Sequence, residues 1–111
     1  MMNGLKRWWK NLRRRSKISH IVVVESMTAI PAQIGADLYL VRHGDFDKRA
    51  VLDCPCGCKR RIDLNLVRTQ YPSWSAQLRR GAISLTPSIW LTTDACRSHF
   101  FVKRNKIEWV K

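Results

Sequence analysis

Cys54-Pro55-Cys56-Gly57-Cys58 holds three of the four cysteines of the chain within five residues. The fourth opens Cys96-Arg97-Ser98-His99, which also carries one of the three histidines. Pro55 stiffens a reverse turn, and Gly57 lets the backbone curl so that N–H groups face sulfur. Cys96 and His99 are separated by two residues, again a turn-sized spacing. Two turns distant in the chain can therefore aim ligands at one ion. Zn²⁺ takes four tetrahedral N or S ligands, and Cys54, Cys56, Cys58, Cys96 and His99 compete for the four places. The reading favours Cys54 and Cys56 in the first turn with Cys96 and His99 in the second. Cys58 either replaces Cys54 or stays as a thiol beside the ion. One zinc ion is expected, bound structurally, because a site filled by protein leaves no position for water. His20 and His43 stand alone at strand edges and read as ordinary histidines.

Outward from the clusters the pattern is mostly β. Residues 19–25 are β-branched and apolar, 37–43 read as a second strand, and 48–53 run directly into Cys54. Residues 60–66 alternate Ile62, Leu64 and Leu66 with Arg61, Asp63 and Asn65. Residues 27–36 read as a loop or one helical turn, and 68–80 as a loop with Trp74 turned inward. Short strands are expected at 82–85 and 88–92, on either side of Thr86-Pro87. Residues 100–103 and 106–110 pair as a closing hairpin across Arg104-Asn105. The expected fold is a mainly β, small α+β domain. It is an antiparallel domain stapled by zinc, Rieske-like or zinc-ribbon-like, over residues 18–111. Residues 1–17 form a separate basic segment. In it Leu5, Trp8, Trp9 and Leu12 make one apolar stripe of an amphipathic helix over 3–16.

A chain of 111 residues fits one small domain, for which a metal cross-link is a useful staple. The longest apolar run, Ile21–Val24, is far short of the ~20 residues that cross a bilayer. Lys6, Arg7 and Lys10 lead into more arginine and not into an apolar signal segment, so the cytoplasm is the expected compartment. Thiols stay reduced there, and grouped cysteines point to a metal before disulfides. The net charge of +13 admits nucleic acid or an anionic membrane surface, the latter through residues 3–16. Tyr71, Trp74, Trp90, Phe100 and Phe101 are available for base stacking, although packing in a core accounts for most of them.

The same residues resemble a family of small bacterial and phage proteins of uncharacterised activity. The resemblance rests on Pro31, Leu38-Tyr39-Leu40-Val41, Cys54-Pro55-Cys56-Gly57-Cys58, Trp74, Ser84-Leu85-Thr86-Pro87-Ser88-Ile89, Cys96-Arg97-Ser98-His99-Phe100 and Ile107-Glu108-Trp109. It implies metal binding and, for some members, a link to bacterial ubiquitin-like conjugation operons. The function expected from all this is a non-enzymatic zinc-binding module with a protein partner. Two alternatives stand beside it. One is a nucleic-acid-binding zinc protein. The other is a Rieske-like iron–sulfur protein or, separately, a thiol redox protein that uses Cys58 or a Cys96–His99 pair with Asp94 nearby to activate a thiolate. No small-molecule substrate is indicated, and no recognised catalytic motif is present; the balance leans away from an enzyme.

Overall fold

Sheet formation follows from the alternation of apolar residues, and two four-stranded sheets result in a computed structural model that describes residues 14–92 and 96–110. In the first sheet β1 (Ile21–Val24), β2 (Leu38–His43), β3 (Phe46–Asp53) and β4 (Arg61–Asn65) lie in chain order. The second sheet consists of β5 (Ser75–Arg79), β6 (Ala82–Trp90), β7 (His99–Lys103) and β8 (Lys106–Trp109), again in chain order. All neighbours pair antiparallel except β1 and β2, which run parallel.

One core joins the sheets. Leu38, Leu40, Ala50, Leu52, Ile62 and Leu64 from the first meet Ile83, Leu85, Ile89, Phe100, Val102 and Ile107 from the second. Phe100 is fully buried, with the Trp109 ring 5.4 Å away, centroid to centroid. The other face of the first sheet is covered as well. Val41 and Val51 pack there against Ile30 and Ile34, which the long β1–β2 connection carries across the sheet. Parallel neighbours require such a crossover. Asp53 accepts hydrogen bonds from the backbone N–H groups of Ile34 (3.3 Å) and Gly35 (3.1 Å), which fixes this connection. A 3₁₀ turn at Met27–Ala29 is its one short helical element.

The mainly β reading holds, with three local differences. Alternation does not encode strand direction, so an all-antiparallel sheet was expected where β1 is parallel. Residues 75–79, read as loop, are strand β5: Ala76 and Leu78 reach the core between exposed Gln77 and Arg79. The two short strands expected around Thr86-Pro87 are one strand, β6. Its register shifts between Leu85, opposite Val102, and Ile89, opposite Phe100, so Thr86, Pro87 and Ser88 bulge from the ladder.

Residues 14–18 bind the body of the fold. Arg15 N–H donates to the Pro55 carbonyl (2.7 Å), Ile107 N–H to the Ser16 carbonyl (2.8 Å), and the Arg14 guanidinium lies 4.2 Å over the Trp109 ring. The amphipathic helix expected over 3–16 falls, up to residue 13, outside the described residues. Among the described residues no helix is long and apolar enough to cross a membrane.

Candidate functional site

The cysteine turn connects β3 to β4. The pairing of Asp53 with Arg61 brings the strand ends together, and Cys54 N–H donates to the Arg60 carbonyl at 2.7 Å. Gly57 has φ 92°, a conformation that L side chains rarely adopt, and its N–H closes the turn on the Cys54 carbonyl at 3.2 Å. Cys58 N–H points at the Cys56 sulfur at 3.3 Å. Across from this turn Cys96 precedes β7. The result is a cluster in which the sulfurs of Cys54, Cys56, Cys58 and Cys96 all lie within 4.8 Å of one another.

This donor set suits a metal ion. Sulfurs arranged tetrahedrally at ~2.3 Å from zinc sit about 3.8 Å apart. Cys54 and Cys56 sulfurs are 3.4 Å apart, and Cys54 and Cys96 sulfurs 4.0 Å. A disulfide would need ~2.05 Å, and all four thiols are free. The electrostatics of the thiols differ. Burial, first of all, pushes the Cys54 thiol far above its ordinary value and raises Cys58. Burial acts upward on Cys96 too, but hydrogen bonds from the Ser98 hydroxyl and backbone, then from Cys56 and Cys58, bring it down to about 7.

The five expected ligands therefore divide. The four cysteines gather, Cys58 included, although it is the most exposed. His99 stands elsewhere: its Nε2 lies 2.9 Å from the hydroxyl of Ser88. The alternation of β7 explains this. Phe100 and Val102 face the core, so His99 and Phe101 face outward. Ser88, next to buried Ile89, is brought to the same outer face at the end of the β6 bulge. Both residues are half-buried. The Trp74 indole N–H donates to the Ser88 carbonyl at 3.3 Å and holds the bulge from below. Trp90, paired with His99 in register, stacks on its imidazole with centroids 4.7 Å apart and planes 8° from parallel. Phe101 flanks the ring at 6.4 Å.

A hydroxyl within 2.6–3.2 Å of an imidazole nitrogen has the geometry of a nucleophile with its general base. Sequence reasoning gave Ser88 no chemical role: it stood there as the start of an expected strand and within the stretch of residues 84–89 that carries part of the family resemblance. That stretch matches no recognised catalytic motif. The pair is visible only once the bulge, the register and the outer face are known. Asp94, expected near Cys96 and His99, lies outside the described residues.

Residues 25–110 match the family described as "Bacterial ubiquitination-like system serine protease (BubE)". No curated protein and no solved structure matches the chain.

Proposed function

The chain belongs to the BubE family of bacterial ubiquitination-like systems, and from that premise we propose that it is a serine protease whose base is held in place by a structural metal site. Ser88 is the nucleophile and His99 the general base. The observation that carries this reading is the 2.9 Å hydrogen bond between Ser88 Oγ and His99 Nε2 on an outer sheet face. It displaces the non-enzymatic module that the sequence favoured, because that reading had no use for the pair. Membership in a ubiquitination-like system points to polypeptide partners, and a protein substrate is one.

The chemistry follows from the pair. Ser88 Oγ attacks the carbonyl carbon of a peptide bond as its proton passes to His99 Nε2. The tetrahedral intermediate collapses, the C–N bond breaks, and His99 returns the proton to the departing amine. Water, deprotonated by the same imidazole, then hydrolyses the ester and frees Ser88. Trp90 keeps the imidazole plane aligned for both transfers.

The metal we assign is zinc, one ion on Cys54, Cys56, Cys58 and Cys96. Four thiolates at one ion leave no position for water, so its contribution is a cross-link between the β3–β4 turn and the entry to β7. Iron would accept the same sulfurs, and metal analysis of gently purified protein separates the two. Reduced thiols of this kind suit the cytoplasm.

Labelling with a fluorophosphonate, read by intact mass and peptide mapping, tests the catalytic assignment. Zinc-loaded protein should take one label at Ser88, Ser88→Ala none, and His99→Gln far less in the same time. A folded, zinc-loaded wild type that takes no label, or a Ser88→Ala protein labelled as before, would overturn it.

A further inference from the structure

Two hairpin tips meet beside the outer face that carries Ser88 and His99. Arg80-Gly81 joins β5 to β6 and Arg104-Asn105 joins β7 to β8, each as a two-residue turn. All four turn residues have positive φ: 51° and 76° in the first, 47° and 66° in the second. Such turns favour Asn, Asp or Gly. Here each has an arginine in its first left-handed position, against the ordinary steric preference. The tips are stitched together. Asn105 Nδ2 donates to the Gly81 carbonyl (3.1 Å), Ile83 N–H to Asn105 Oδ1 (2.7 Å), and Arg104 N–H to the Ser84 hydroxyl (3.0 Å).

Between them lies a cavity of about 590 Å³ lined by Gln77, Arg79, Arg80, Ala82, Ser84 and Arg104. It holds three arginines and no acid. Elsewhere some bases have a carboxylate partner, as Arg42 has Asp47 (2.7 Å), Arg49 has Asp63 (2.9 Å) and Lys103 has Glu108 (3.0 Å). Among the described residues no carboxylate pairs with Arg79, Arg80 or Arg104. The cradle is thus rigid, concave and uncompensated, which is the arrangement that binds carboxylates or phosphates through forked hydrogen bonds.

Its place decides between ligands. Ser84 lines the cavity and lies on β6, four residues before Ser88. At ~3.3 Å per residue the two are at most about 13 Å apart. Gln77, Arg79 and Ser84 face the same side as His99. An extended polypeptide held at Ser88 and lying along β6 would put side chains three or four residues from the cleaved bond over the cradle. Resting on the protease reading above, we propose that Arg79, Arg80 and Arg104 form a specificity subsite for acidic side chains. The substrate class is then a polypeptide with Asp or Glu a few residues from the scissile bond.

Fluorescence anisotropy with fluorescein-labelled hexaglutamate tests this on zinc-loaded protein, alongside a single-stranded oligonucleotide of equal charge. Hexaglutamate should bind the wild type and Ser88→Ala alike and weaken with added salt. Arg79→Gln with Arg104→Gln should weaken it about tenfold or more, the loss of two charge-assisted contacts. Lys48→Gln with Arg68→Gln removes as much charge elsewhere and should change it less than about twofold. Equal losses in the two double variants would reduce the effect to net charge and overturn the proposal. So would tighter binding of the oligonucleotide abolished by the same arginine pair, which would make the cradle a nucleic-acid site. Absence of fluorophosphonate labelling at Ser88, with hexaglutamate still held by the arginines, would instead be the failure of the protease reading and would remove the substrate role from an intact anion cradle.

Discussion

Ser98 and His99 are consecutive, yet they serve opposite faces of one strand entry. The Ser98 hydroxyl lies 3.4 Å from the sulfurs of both Cys54 and Cys96, whereas His99 Nε2 lies 2.9 Å from Ser88 Oγ. Leu91 N–H donates to the Ser98 carbonyl at 2.8 Å and Val110 N–H to the His99 carbonyl at 2.9 Å, so the backbone between the two faces is held from both sides. Whatever orders the sulfur cluster therefore also orders the base.

Chelation should remove fold and reactivity together. Binding free energy at a four-thiolate zinc site is folding free energy, on the order of 10 kcal/mol in small domains. Cys54→Ser strikes the buried member of the cluster and should abolish metal binding. Even ~3 kcal/mol corresponds to a fall in Tm of about 12 °C or more in a domain of this size. Ser88→Ala should bind one metal ion and melt within about 3 °C of the wild type, since it removes only a half-buried hydroxyl. Metal content and thermal melts check both. A Cys54→Ser protein that keeps its metal and its Tm would remove the cross-link from the account.

Protons should compete with the metal, and the sign is fixed by the thiols. Ligation requires thiolates. In the metal-free fold burial holds Cys54 and Cys58 protonated well past neutrality, while Cys96, at about 7, is already largely ionised at pH 7.5. Metal binding at pH 7.5 should release the protons of Cys54 and Cys58 to the buffer. Affinity should rise with pH and fall steeply below pH 7, where Cys96 also becomes protonated. Calorimetric titration in buffers of different ionisation enthalpy measures the release. Binding that is insensitive to buffer and pH would mean that these thiols are not the ligands.

Much of this was legible in the sequence, for reasons that also mark where legibility stops. Ile62, Leu64 and Leu66 announce β4 because one face is buried and period two survives. Arg104-Asn105 announces its hairpin because its flanks alternate. The cysteines announce a cluster because three within five residues fill a core poorly. Strand direction at β1 carries no periodic trace, and β5 is hidden because Gly81 and Tyr71-Pro72 read as loop chemistry. Ser88 is hidden more deeply. Its partnership with His99 depends on how β6 pairs with β7. The two extra residues leave Ser88 on the outer face that alternation from Leu85 gives it, but they shift which β7 residue it lies beside, and nothing in the sequence marks that shift. Reading His99 as a ligand came from the same gap: spacing from Cys96 gives proximity in the chain, not the face on which the ring lies.

Asn105 should matter more than a turn residue usually does. Its side chain bonds Ile83 N–H and the Gly81 carbonyl, and its own N–H donates to the Ile83 carbonyl at 2.8 Å. Asn105→Gly keeps the left-handed backbone accessible but leaves the Ile83 N–H without its acceptor beside a fully buried side chain, which costs about 1–3 kcal/mol. Asn105→Ala adds a strained φ and should cost more. Chemical denaturation of both variants checks the order. If Asn105→Gly is as stable as the wild type, the bridge between the hairpin tips contributes nothing, and the rigidity of the arginine cradle loses its basis.

Trp90 is 62% exposed, so little of the fold depends on it. Its near-parallel stack on His99 instead sets the plane of the ring that must face Ser88. Trp90→Phe preserves an aromatic face and should keep most of the reactivity. Trp90→Ala lets the imidazole rotate away and should slow fluorophosphonate labelling about tenfold, the scale of ~1.4 kcal/mol lost in alignment. Tm and metal content should not move in either variant. The comparison separates positioning from support: a structural role would lower Tm in Trp90→Ala along with the rate, and no role would leave both unchanged. Only a slower rate at constant stability, restored by phenylalanine, fits a tryptophan that acts through His99.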